Sequence, residues 1–197
     1  NIFQNLQIAA FRAGITPRTK QSRDWFRQKA SQLSTSRLDL MKQEPLELRN
    51  RHGIGNMYMY FYDPKHKDTL PYYDRFPVVI INEIYPDGFS ALNLHYLPPR
   101  YRVKLLSALY DYIVLDDDVE DDSLKTRIKM TYNLLNGVSK LKYFRPCYKR
   151  YLTTHIEGRA LEVIPDYWDI MAMLPVARFE KQNIRTVYSD SIKRANS

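Results

Sequence analysis

A chain of 197 residues with 44% apolar content can bury one core and is not a disordered polymer. Its net charge of +8 is unevenly spread: residues 1–51 carry ten Lys/Arg against four Asp/Glu, residues 52–124 six against twelve, and residues 125–197 fourteen against six. Two basic ends around an acidic middle suit nucleic acid, an oppositely patterned partner or another copy of the chain, and no apolar run is long enough to cross a bilayer.

Residues 2–13 read as a helix with Phe3, Leu6, Ala10 and Ala13 on one face, ended by Gly14. A second helix starts at Thr16-Pro17 and runs to about Leu33, with a narrow apolar edge of Trp25, Phe26 and Leu33. Arg18, Lys20, Arg23, Arg27 and Lys29 cover most of the rest. This is the pattern of a basic arm laid on a nucleic acid or an acidic protein face, and equally of a solvated helix face. Residues 34–55 are polar, punctuated by Pro45, Gly53 and Gly55, and read as a linker with one helical turn near residues 38–42.

Residues 57–99 hold the densest aromatic and β-branched content. Three strands are expected: Met57–Tyr62, Val78–Tyr85 and residues 89–97, the last two joined by a tight turn at Pro86-Asp87-Gly88. In the first, Met57, Met59 and Phe61 alternate with Tyr58, Tyr60 and Tyr62. Bulk on both sides implies that both faces are covered. Residues 63–77 carry Pro64, Pro71 and Pro77 and read as a fixed loop over the sheet. A long ordered loop followed by a tight hairpin is how an SH3-like small barrel opens, although only four of five strands are visible.

Pro98-Pro99 starts a helix over residues 100–115 with a stripe of Val103, Leu106, Leu109, Tyr110 and Ile113. Asp116, Asp117 and Asp118 open an acidic run. A calcium loop is excluded there, since Asp121 and Arg127 stand where Gly and Glu are needed. The run precedes a helix capped by Ser123, spanning residues 124–136, ended by Gly137, with Leu124, Ile128, Thr131, Tyr132 and Leu135 on its buried side.

Residues 138–151 interleave cations and rings: Lys140, Lys142, Arg145, Lys149 and Arg150 among Tyr143, Phe144, Tyr148 and Tyr151. Such a stretch grips phosphates and stacks bases, or lays long stems over tyrosines at a protein interface. Residues 160–164 form a fourth strand, residues 167–174 a short helix, and residues 176–197 a basic tail without a core face.

No catalytic motif stands out. His52, His66, His95 and His155 lack ligand spacing. The single Cys147 reads as a structural thiol, which fits folding in a reducing cytoplasm. Asp63, Asp74, Glu83 and Asp87 are better read as turn residues than as a nuclease cluster. The expectation is no enzyme, no metal and no cofactor.

Several segments together carry a resemblance: FRAGITPRTKQSRDWFR, MYMYFYDPKHKDTLPYYDRFPVVI, DGFSALNLHYLPPRYRVKLL, KYFRPCYKRYL and WDIMAMLPVARF. They resemble a family of virion assembly proteins of large contractile-tailed phages, described as DNA end protectors or head completion proteins, or as baseplate or tail components. The resemblance implies an α+β protein of the virion, assembled in the host cytoplasm. The expected layout is a basic helical arm (1–55), a core domain with a small antiparallel barrel or sheet and flanking helices (56–175), and a basic tail (176–197). The leading expectation is a non-enzymatic structural protein at the head–tail or baseplate junction. It would meet other virion proteins, or copies of itself in a ring, through Arg18, Arg23, Trp25, Arg27 and Lys29 against Asp116, Asp117 and Asp118. The alternative is a DNA-binding protein protecting packaged ends, with Lys140, Lys142, Arg145, Lys149 and Arg150 as the candidate contacts.

Overall fold

The computed structural model describes residues 2–42, 53–111 and 121–196. Helices α1 (Ile2–Arg12), α2 (Lys20–Ala30) and α3 (Arg37–Leu40) precede strands β1 (Met57–Tyr62), β2 (Tyr73–Asp74), β3 (Val78–Tyr85) and β4 (Gly88–Asn93). Then come α4 (Pro99–Tyr110), α5 (Asp121–Ser139), β5 (Tyr148–Leu152), β6 (Ile156–Val163), α6 (Trp168–Met171), β7 (Phe179–Glu180) and α7 (Ile184–Asn196). Five strands form an antiparallel sheet in the order β5-β4-β3-β1-β6, while β2 and β7 make a separate two-stranded ladder. The fold class is α+β, as expected, but the sheet is open. Strands β5 and β6 are its two edges and do not pair with each other, so no closed barrel forms.

The period-2 pattern of β1 explains the layering. Met57 and Met59 join Val78, Ile80, Leu92, Leu161 and Val163 in a large core shared with the helices. Tyr58, Tyr60 and Tyr62 point the other way and pack with Val79, Ile81, Phe89, Ala91 and Tyr151 in a second cluster. Both faces are covered, as the bulk on each side requires. In the second cluster the rings of Tyr60, Tyr62, Phe89 and Tyr151 meet largely edge to face, at centroid distances of 5.0–6.1 Å.

The expectation that the ends leave the body is overturned for the described residues. Phe3, Leu6 and Ala10 of α1, Phe26 and Ala30 of α2, and Val187 of α7 belong to the same core as the sheet. The apolar stripe of α1 is satisfied by this molecule: Phe3 packs at a tilt against Tyr167, with ring centroids 4.8 Å apart. The tail that showed no core face is helical because its docking surface is partly polar. Ser191 is buried beside Val187, and the Tyr188 hydroxyl accepts a bond from Arg102.

Several boundaries also moved. Helix α2 starts at Thr19, not Thr16, because Arg18 adopts a left-handed φ of 60° that a helix cannot include. Thr19 and Ser22 form a reciprocal capping box, each hydroxyl accepting from the other's amide at 3.1 Å. Helix α5 runs through Gly137 to Ser139, and Ile128, expected on its buried side, is exposed. The third strand stops at Asn93, whose side chain caps a 3-10 turn over Leu94–Tyr96. Asp116, Asp117 and Asp118, and residues 43–52 of the expected linker, lie outside the described residues.

Candidate nucleic-acid interface

The N-terminal cations do not all face solvent. Arg23 is buried and acts inside the molecule. Its guanidinium lies 3.7 Å from Asp169, donates to the Ser107 hydroxyl at 2.8 Å and stacks over Tyr110. Ser22 donates to Asp169 at 2.8 Å, and Tyr110 donates to it at 3.2 Å. Burial still raises the Asp169 pKa, outweighing these stabilising neighbours. Arg18 pairs with Asp166, and Arg27 with Asp24 at 3.1 Å. Lys29 sits over the half-buried Trp25. Buried Arg23 is thereby withdrawn from any contact with a neighbour's acidic run, whereas Arg18, Arg27 and Lys29 keep exposed surface beside their partners in this chain.

The basic aromatic stretch divides. Lys140, Lys142 and Arg145 are exposed, whereas Lys149 and Arg150 are built into edge strand β5. Lys149 and Arg150, with Arg194, line a recess of about 190 Å³ whose walls include Tyr62, Tyr72, Tyr96 and Tyr151. The Lys149 ammonium lies 4.3 Å from the centroid of the Tyr96 ring, and burial holds its pKa below the ordinary lysine value. Arg150 pairs with Asp87 and stacks on Tyr85. In the wall of the recess Asp74 is a structural hub. It accepts from the Phe76 amide (3.0 Å) and Asn93 (3.1 Å), and it meets His95 Nδ1 at 2.7 Å with both side chains buried.

The four carboxylates weighed as a nuclease cluster are separately engaged. Asp63 binds Lys67 and Arg75, Asp74 is the hub, Glu83 accepts from Tyr85, and Asp87 pairs with Arg150. Among the described residues no group of three His, Cys, Asp or Glu could hold a metal ion. Cys147 is buried, and its thiol pKa is pushed up to about 12 by burial despite nearby Lys149 and Arg102. No helix of the described residues is long and apolar enough to cross a membrane.

The larger recess, about 570 Å³, lies between α2, α4 and the approach to α7. Arg27, Arg37, Arg102 and Arg178 line it, and no Asp or Glu appears among its described lining residues. Arg102 is buried, yet all its partners are neutral. It donates to the Leu97 and Ala172 carbonyls and to the Tyr188 hydroxyl, each at 2.7 Å. Arg37 likewise donates to the carbonyls of Val176 at 2.7 Å and Ala177 at 2.8 Å. Burial lowers the pKa of both, and Arg178 lowers that of Arg37 further by repulsion. Arg27 and Arg178 are more exposed and keep one carboxylate each, Asp24 and Glu180. Asp74 attracts Arg37 and Arg102 from outside the recess lining, but burial outweighs it, and cations fixed in this way by neutral partners gain by taking an anion.

Of these four arginines only Arg27 was singled out by sequence. Arg37 was hidden in the polar linker. Arg102 did leave a signal: it falls on the α4 stripe, four residues before Leu106, where a cation is out of place unless it has work inside. Arg178 lay in what read as a featureless tail.

The family model described as phage T4 terminal DNA protecting protein matches residues 4–194. No curated protein and no solved structure gives a match. The match spans nearly the whole chain, sheet and terminal helices alike, so this chain belongs to the phage T4 terminal DNA protecting protein family.

Proposed function

We propose that the chain binds the ends of linear double-stranded phage DNA and shields them by occupancy, with no bond made or broken. Family membership supplies the class of target. The observation that carries the reading in this chain is the arginine recess. Four guanidinium groups line a space whose described walls hold no carboxylate. Its volume is that of a small-molecule site, roughly 300–1,000 Å³. A strand end fits such a space and the flank of a duplex does not, which favours termini over internal DNA. Exposed Lys140, Lys142 and Arg145 add sequence-independent phosphate contacts that weaken steeply with salt. A protein with this role travels with the packaged genome in the virion and is loaded in the host cytoplasm.

The test is nuclease challenge. Linear duplex pre-incubated with the protein should outlast naked duplex under an exonuclease that needs a free end. The Arg37→Ala, Arg178→Ala double variant should lose most of that protection. Equal digestion with and without the wild-type protein overturns the reading.

A further inference from the structure

The recess differs from an ordinary DNA-tracking surface in how its charge is held. Phosphate contacts along a duplex are usually made by long, solvated Lys and Arg side chains at the rim of a groove. Here two of the four cations are fixed from behind. Arg102 uses one N–H on each of its three nitrogens for Leu97, Ala172 and Tyr188. An arginine carries five N–H donors, so each of its terminal nitrogens keeps one more. Arg37 spends Nε and one Nη2 hydrogen on Val176 and Ala177, which leaves its Nη1 donors. The Tyr188 hydroxyl accepts from Arg102, and its own proton is available to donate. Arg102 is buried, Arg37 and Tyr188 are half-buried, and all three are held by hydrogen bonds, so an incoming anion meets them with little reorganisation.

The kind of anion follows from charge and access. An internal phosphodiester carries one negative charge and is flanked by sugar on both sides. A terminal phosphate monoester has three unesterified oxygens and, with a second pKa near 6, close to two negative charges at pH 7. It also enters a recess end-on, with only one side tethered. A site with several cations and no described carboxylate therefore discriminates in favour of the monoester.

We infer that the recess takes a terminal phosphate monoester of a DNA strand, with Arg37 and Arg102 as fixed donors, Tyr188 as a third and Arg178 at the mouth. This inference rests on the end-binding reading above. Nothing in the recess distinguishes a 5′ from a 3′ phosphate, so both are arms of the test.

The experiment measures Kd for four DNAs of one sequence: linear duplex with 5′-phosphate ends, with 3′-phosphate ends, with hydroxyl ends only, and a covalently closed circle. At least one phosphorylated form should bind at least about tenfold tighter than the hydroxyl form, the scale of a single charge-assisted bond. That preference should shrink as pH falls through about 6, where the monoester loses its second charge. Arg178→Ala should reduce the preference severalfold. The Arg178 side chain is removable, because its backbone amide is what holds Asp74. Circular dichroism and a melting curve check that the variant is folded. Equal binding of phosphorylated and hydroxyl ends, both tighter than the circle, overturns this inference and leaves end binding intact. A phosphate preference that survives unchanged in Arg178→Ala also overturns it, since the phosphate then sits elsewhere. Equal binding of circle and linear DNA sinks the end-binding reading, and this inference with it.

Discussion

Arg23 shows how a residue read from sequence as part of a binding face becomes internal structure. Its charge is spent against Asp169, and both side chains are 5% exposed. Removing one partner of a buried pair leaves the other uncompensated, so Arg23→Ala should cost about 3–5 kcal/mol of stability, measured by urea unfolding. The pH dependence has a definite sign. The folded-state pKa of Asp169 is raised by burial, and Arg23 is one of the neighbours that hold it down. Without Arg23 that pKa should rise further, and the deficit of the variant should be largest near neutral pH. It should shrink as pH falls through the folded pKa. Arg102 makes the complementary point. A cation on an apolar stripe was visible in the sequence, but its neutral partners come from segments remote in sequence. Period alone could not foretell whether it was neutralised or left to meet a ligand.

At the level of elements, β1 and β3 were legible because alternation and unbroken apolar runs are local signals. Strand β5 was not. Tyr148–Leu152 reads YKRYL, and its cations hide the strand pattern while suiting a sheet edge. Its partner β4 holds it through a tight point at Gly88. A Cβ built there would fall 1.9 Å from the Tyr151 carbonyl oxygen, which is backbone and cannot swing away. Gly88→Ala should therefore part the β4–β5 ladder and cost roughly 2–3 kcal/mol, seen as a lowered Tm. A neutral substitution would mean that the two strands are less closely joined than the geometry has them. The tail conceals its helix for a related reason. Helix α7 docks through Val187, Ser191 and Tyr188, a face too polar to register as a hydrophobic stripe.

Across the whole molecule, the fold class, the two-sided covering of the sheet and the family were within reach of the sequence. The packing of the termini was not. Their basic composition suggested arms, yet Phe3 and Val187 are fully buried in the common core. Charge composition reports on partners and solubility, while burial is decided by a few apolar residues at the right spacing. Folding the ends back is also what builds the site. Helix α2 brings Arg27, the segment that follows it brings Arg37, α7 brings Tyr188, and these meet Arg102 of α4 in one recess. Under the proposed function this recess makes the protein a reader of DNA ends. The decisive measurement is equilibrium competition between one linear duplex and its covalently closed circle, at a salt concentration that suppresses non-specific binding. The linear form should win by at least about tenfold, and the advantage should fall in Arg37→Ala. Equal competition by the circle would contradict the account.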